Sequence, residues 1–314
     1  MIRLFIKENN QISVINQIPE KIEREKILWV DLFSPTEEEK NWVESFFNIE
    51  VPSKQEMEEI EVSSRYWEDE ENIKVNAFFL VKDGVHFRNE TVSFILALDT
   101  LITIRYRELK TFSETAKRIL SNPKYYENGY YVFITILEIR IDTDADTLEF
   151  ITREINRLGR IVFTGIDITQ ELLEFISYYE DYNMTIRENL TDKQRLVSSL
   201  LKSYKIPQEL REELRIMIKD INSLIEYTNF NFDRLDYLQN TFLGLINIQQ
   251  NKVMKIFTLM SVIFLPPTLI AAIYGMNFQY MPELNWKYGY PFALFLMFLS
   301  AIIPLYIFKK KGWL

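Results

Sequence analysis

Two stretches without a charged side chain, residues 256–274 and 288–308, close this 314-residue chain and constrain it more than any other feature. Each holds about the twenty residues that a helix needs to cross ~30 Å of hydrocarbon. The intervening residues 275–287 are too few for a domain. The pair therefore reads as a helical hairpin through a bilayer, with everything before it outside the hydrocarbon.

Average composition hides this division, because 47% hydrophobic content and a mean hydropathy of -0.10 would suit a soluble protein. Charge exposes it. From residue 254 onward Lys255, Lys287, Lys309, Lys310 and Lys311 face Glu283 alone, a balance of +4, so with -9 overall the first 253 residues carry -13. An acidic body is joined to a basic membrane anchor. The amino terminus, Met1-Ile-Arg-Leu-Phe-Ile-Lys7, is too short an apolar run for a signal peptide. Lys255 and the Lys309, Lys310 and Lys311 cluster flank the outer ends of the two spans, and basic residues at span ends stay inside. Both termini are expected to be cytoplasmic in a plasma or inner membrane, with the 275–287 loop outside.

Several chemistries have no machinery here. The chain has no cysteine and one histidine, His86, so thiolate, iron–sulfur and nitrogen-rich zinc sites are disfavoured and any cation is expected to meet oxygen. Phosphate-loop, dinucleotide and nucleophile-elbow patterns are missing, so nucleotide-driven pumping and hydrolase chemistry have no visible machinery, and any transport would have to be passive. No organic cofactor and no nucleic-acid partner is expected.

Residues 1 to about 106 alternate short β-branched and aromatic runs with acidic helical stretches: Leu4-Phe-Ile, Ile12-Ser-Val-Ile, Ile27-Leu-Trp-Val, Val75-Asn-Ala-Phe-Phe-Leu-Val and Val92-Ser-Phe-Ile-Leu-Ala-Leu read as strands. Ser34-Pro35-Thr-Glu-Glu-Glu predicts a helix with Ser34 as cap and proline first. An α/β domain follows. Beyond Asn122-Pro123 the pattern is helical, and breaks near 159–166 and at Ile206-Pro207 divide it into about three long helices. The last, from Pro207 to Ala272, predicts ~60 residues and 90 to 100 Å. Its apolar stripe needs the preceding helices or copies of itself. Pro266-Pro267 is expected to bend or locally unwind it.

Along this helix Asn240, Asn247, Asn251, Met254, Thr258, Ser261, Leu265, Thr268 and Ala272 recur at spacings of three, four or seven, which places them on one face. Small and neutral polar groups entering a span suit a water-filled axis shared by several subunits. With no acid among them, a divalent ion would pass with much of its water shell, as suits magnesium. The same asparagines also fit a second reading, in which they fix the register of a helical bundle.

The first span ends in Tyr274-Gly275-Met276-Asn277-Phe278, followed by Met281-Pro282-Glu283, and the second in Lys-Lys-Lys-Gly-Trp-Leu. Together with Asn251-Lys-Val-Met-Lys-Ile-Phe-Thr258 and Ile263-Phe-Leu-Pro266, this arrangement resembles the CorA family of magnesium channels. In the body only Trp29-Val-Asp31-Leu, Ser64-Arg65 and the strands around Val92 and Leu101-Ile-Thr-Ile-Arg105 support it. The resemblance implies a funnel-shaped homopentamer that conducts Mg2+ inward, with Co2+ and Ni2+ as further cargo. It implies that Asn277 forms the outer ring receiving hydrated Mg2+, that Gly275 lets the backbone approach the axis, and that Tyr274 and Met276 hold the ring's shape, with Phe278 beside them at the pore entrance. Glu283 either gathers cations at the entrance, its copies acting together in an oligomer, or is a plain exposed loop charge. Asn251, Met254 and Thr268 match pore positions, while Phe257 stands at the gate level, leaving open whether Phe257, Thr258 or Leu265 is narrowest. A plain reading of Gly275-Met276-Asn277 as a glycine-capped helix end stands beside this one.

The resemblance further implies a basic collar of Lys309, Lys310 and Lys311, which also satisfy ordinary positive-inside anchoring. It implies closure by intracellular Mg2+ at acidic sites between subunits. Glu56, Glu58, Glu59 and Glu61 form one acidic cluster, residues 68–71 another, and Glu59 with Asp220 is the pair taken as regulatory. The expected layout is 1–165 α/β domain with a following helix, 166–253 long-helix stalk, 254–275 first span, 276–287 loop, 288–308 second span and 309–314 basic tail. A same-fold exporter of zinc or another divalent ion, and a non-conducting membrane-anchored sensor or scaffold, are the competing readings.

Overall fold

The computed structural model describes residues 1–57, 65–84, 86–164 and 169–312. Seven strands, β1 (Ile2–Glu8), β2 (Gln11–Ile15), β3 (Ile27–Phe33), β4 (Tyr66–Glu68), β5 (Asn72–Asp83), β6 (His86–Ala97) and β7 (Thr100–Arg105), form one sheet in the order β2-β1-β3-β7-β6-β5-β4. Only β3 and β7 pair in parallel, Val30 opposite Ile102; the other neighbours are antiparallel.

Alternation along the central strands serves two faces at once. Leu4, Val30, Leu32, Ile102 and Ile104 pack with Val43 and Phe47 of α1 (Glu37–Phe47). Between them, Phe5 stacks on Trp29 with centroids 4.3 Å apart, and Phe79, Phe94 and Phe133 join Phe112 of α3 (Lys110–Ser121) on the other side. A sheet covered on both faces has continuous apolar central strands. Asp31, fully buried in β3, is held by Arg3 and by a two-pronged Arg105, each prong 3.0 Å, and accepts from the Thr103 hydroxyl at 3.0 Å.

The helix after β3 starts two residues later than the sequence suggests. Ser34 lies at φ 43°, and Thr36 is the cap, exchanging hydrogen bonds with Glu39 in a full capping box. The proline precedes the cap because the strand must first turn. After the four-residue α2 (Lys54–Met57), β4 and α3 complete the elements that the sequence reading passed over.

Three long helices follow: α4 (Gly129–Thr164), α5 (Gln170–Lys202) and α6 (Arg211–Tyr274). Buried amides set their register. Asn183 donates to the Thr228 carbonyl at 2.8 Å, and Asn231 donates to Thr152 at 3.0 Å and to Asn183 at 3.3 Å. Gly129 is required because a Cβ there would sit 2.3 Å from the Leu101 nitrogen. Joining α4 to α5, Asp144 accepts from Arg140 Nε at 2.9 Å and pairs with Lys193 at 2.9 Å, while Lys193 also donates to the Phe78 carbonyl of β5 at 2.8 Å.

The helix α6 is continuous for 64 residues and runs through Pro266-Pro267 without a break. The expected unwinding is not seen. Two prolines remove two intrahelical donors while flanking bonds continue the ladder, and the Thr268 hydroxyl donates to the Phe264 carbonyl at 2.6 Å. By its contacts the chain divides within α6 into a unit Met1–Gln239 and a unit Asn240–Leu314, the latter closed by α7 (Gly289–Lys310). In the second unit α6 and α7 are the two helices long and apolar enough to cross a membrane among the described residues.

Candidate ion pathway

Every member of the polar ladder lies on α6, and all of them are exposed in the single chain: Asn240, Asn247, Asn251, Met254, Thr258, Ser261, Leu265, Thr268 and Ala272. Successive steps of seven, three and four residues on an unbroken helix keep them on one face. Phe257, also exposed, stands about 100° round the helix from Thr258 and so off the centre of that face.

The hydroxyls on this face have a defined polarity. Thr258 donates to the Met254 carbonyl at 2.8 Å, Ser261 to Phe257 at 3.0 Å and Thr268 to Phe264 at 2.6 Å. Each proton is thus used inside the helix, and what the side chain offers outward is oxygen lone pairs. Water in the shell of a cation points its hydrogens away from the ion, so such a face accepts from a hydrated cation. A bare ion is not required.

The helix stops at Tyr274. Gly275 donates its N–H to the carbonyls of Ala271 at 3.0 Å and Ala272 at 3.2 Å, and Met276 donates to Ile273 at 3.3 Å. Gly275 does not enter the left-handed region, so the glycine-capped turn considered above is not the local geometry; a Cβ there would lie 3.1 Å from the Ala271 carbonyl oxygen. Met276, Asn277 and Phe278 follow as exposed residues, with Tyr274 half-buried. Glu283 is exposed in a single 3-10 turn, Pro282–Asn285, that leads to α7. At the far end of α7, Lys309 and Lys310 occupy the last turn and Lys311 caps it, its N–H donating to the Ile307 carbonyl at 3.0 Å.

The acidic clusters fare differently. Glu59, with Glu58 and Glu61, lies outside the described residues. Asp220 is an exposed residue of α6. Ser53 stands before α2 as its cap, its hydroxyl accepting from the Glu56 N–H, and the Glu56 carboxylate accepts from the Ser53 backbone N–H, which holds that carboxyl below the usual range. Glu68 is already occupied, accepting from Tyr66 and from Ser203, each at 2.7 Å, and Asp69 accepts from the backbone of Glu71 and Asn72. Residues 68–71 therefore form a structural turn. Among the described residues no three acids or histidines converge on a metal-sized site. The sequence reading missed the Glu68 contacts because Ser203 is 135 residues away.

An α/β body followed by a long helix, a short loop and a second span defines a two-span membrane protein, whose first span carries the exposed hydroxyl face described above. The chain belongs to the CorA-like Mg2+ transporter family, whose model matches residues 24–310. It is 47% identical over 295 residues to the magnesium transport protein CorA of Wolinella succinogenes, covering 92% of this chain and 91% of that one. It is 34% identical to the magnesium transport protein CorA of Escherichia coli K12 over the full length of both. The solved structure of the CorA magnesium transporter from Methanocaldococcus jannaschii has the same fold, with a TM-score of 0.84 at 22% identity, covering 100% of this chain and 99% of that one.

Proposed function

We propose that this chain forms a homopentameric channel that lets Mg2+ enter passively, down its gradient and the membrane potential. The observation that carries this reading is the single acceptor-rich face running from Asn240 to Ala272 and leading directly into Gly275-Met276-Asn277. The relatives named as magnesium transport proteins support the choice of ion. Asn277 amide oxygens, one per subunit, receive the hydrated ion, with Tyr274 and Met276 holding that ring, Phe278 beside them at the entrance and Glu283 raising the local cation concentration. Below it the ion passes Ala272, Thr268, Leu265, Ser261, Thr258, Met254, Asn251, Asn247 and Asn240 with most of its water retained, which suits Mg2+ because it dehydrates reluctantly. Leu265 and Met254 are the bulky apolar members of the face, where a closed pore dewets, with Phe257 beside them. Co2+ and Ni2+ form similar hydrated octahedra and are proposed as further cargo. Lys309, Lys310 and Lys311 form a basic collar on the cytoplasmic side, and both termini are cytoplasmic. Intracellular Mg2+ closes the channel at acidic sites between bodies, to which Glu59 and Asp220 are assigned.

The test is Mg2+ uptake into liposomes that hold a magnesium-sensitive dye, comparing wild type with Asn277→Ala, with and without internal Mg2+. Fast uptake that is lost in the variant and suppressed by internal Mg2+ is expected. Absence of uptake under any inward gradient overturns the channel and favours a non-conducting sensor, whereas outward movement of Zn2+ favours an exporter of the same fold.

A further inference from the structure

The segment joining the two spans is more built than a connecting loop requires. The Trp286 N–H donates to the Glu283 carbonyl at 3.3 Å, Gly289 donates to the Trp286 carbonyl at 2.9 Å, and Phe292 donates to Tyr288 at 3.0 Å. A Cβ at Gly289 would fall 2.3 Å from the Glu283 oxygen, so the turn is tight against the start of α7. This turn carries a group of side chains directed outward. Trp286 sets its ring edge-on against Tyr288 and Phe292, at 6.3 and 5.5 Å, yet is 51% exposed, and Tyr288 and Tyr290 are 60% and 77% exposed.

Lys287 stands among them, exposed, and forms no ion pair among the described residues, although Glu283 is four residues away. It is also the only basic residue between Lys255 and Lys309. From Gly289 to Lys309 the helix rises twenty steps, or ~30 Å at ~1.5 Å each, which is the thickness of the hydrocarbon layer. With the Lys309 and Lys310 ammonium groups at one interface, Lys287 and the three rings fall at the headgroup level of the other. Rings with one polar tip prefer that depth, and an unpaired ammonium there meets lipid phosphate.

We propose that Trp286, Lys287, Tyr288 and Tyr290 form a binding site for an anionic phospholipid in the leaflet where this loop emerges. The Lys287 ammonium pairs with the phosphate, the Tyr288 and Tyr290 hydroxyls and the Trp286 indole N–H donate to phosphate or ester oxygens, and the ring bodies lie along the upper acyl chains. The lipid fixes the height of the loop in the bilayer. This rests on the membrane spans and not on conduction of any ion.

Native mass spectrometry of the full chain in nanodiscs tests the site. The probe is phosphatidylglycerol against phosphatidylcholine, in a background where Lys309, Lys310 and Lys311 are each replaced by Gln to silence the other interface. Lys287→Gln is expected to weaken phosphatidylglycerol retention about fivefold, the worth of one basic residue near an anionic surface. Trp286→Leu is expected to weaken it as well, and inorganic phosphate should not compete. Equal retention by Lys287→Gln overturns the proposal, since it means that the lysine is covered by a second copy or faces water. Displacement by inorganic phosphate overturns it in favour of a free-anion site. If the background variant does not accumulate, the difference between wild type and Lys287→Gln with the native tail gives the same answer.

Discussion

Asp144 lies between two cations, Arg140 and Lys193, all three buried, so the cluster holds one positive charge more than it neutralises. Burial pushes the Asp144 carboxyl up, but Lys193 and Arg140 outweigh it and hold it below the usual carboxylate range. Burial pulls the Lys193 ammonium down to about 8 despite Asp144. A base weakened by folding is bound more tightly to its proton in the unfolded chain. Between about pH 8 and the ordinary value of 10.5 the unfolded state therefore holds more protons, and this group makes stability rise with pH across that window. Chemical denaturation from pH 7.5 to 10 is expected to give a more positive slope in wild type than in Lys193→Met. Asp144→Asn leaves two unpaired buried cations and is expected to lose about 3 to 5 kcal/mol in the same assay. A loss under 1 kcal/mol would mean that water reaches the cluster.

At the scale of elements, the cap of α1 separates two nearby hydroxyls. Thr36→Ala removes one half of a capping box and is expected to cost about 1 kcal/mol in urea denaturation, whereas Ser34→Ala, outside the cap, leaves the helix bonds intact. Ser34→Gly should stabilise slightly, because φ 43° suits glycine. Reading Ser34 as the cap was reasonable from composition, since Ser-Pro-Thr offers two hydroxyls and the choice depends on where β3 ends. The sequence also passed over α3, whose Phe112 becomes the centre of an aromatic group drawn from β3, β5, β6 and α3. Its polar residues hide a buried stripe that only those distant rings explain.

For the whole molecule, α6 presents Ile216, Tyr227, Phe230 and Tyr237 exposed on one side of the body. Large apolar side chains repeated on one helix face mark a contact with another chain. If the subunits of the proposed homopentamer associate through this stripe, Phe230→Glu is expected to shift the detergent-solubilised protein toward smaller species in sedimentation velocity. An unchanged distribution would place the contact elsewhere. The fragment Met1–Gln239 contains its own sheet and core and is expected to unfold cooperatively without detergent, as followed by circular dichroism.

The two spans, the ladder and the Gly275-Met276-Asn277 ending were legible from the chain alone because they are local facts. A charge-free run of twenty residues has one stable solution in hydrocarbon, and a period near 3.6 assigns faces without knowledge of any partner. Most strands of the body were legible for the same reason, since β-branched and aromatic runs need only neighbours, whereas the three-residue β4 was too short to show one. Tertiary structure alone decided which residues were already committed. Glu68 read as part of an acidic cluster until Ser203 was placed beside it, and nothing in the sequence marked Asp31, Asp144 and Lys193 as buried charges that Arg3, Arg105, Arg140 and the Phe78 carbonyl close around. Those partners lie as many as 135 residues apart, and the free energy that joins them comes from burying both together, which no local pattern records.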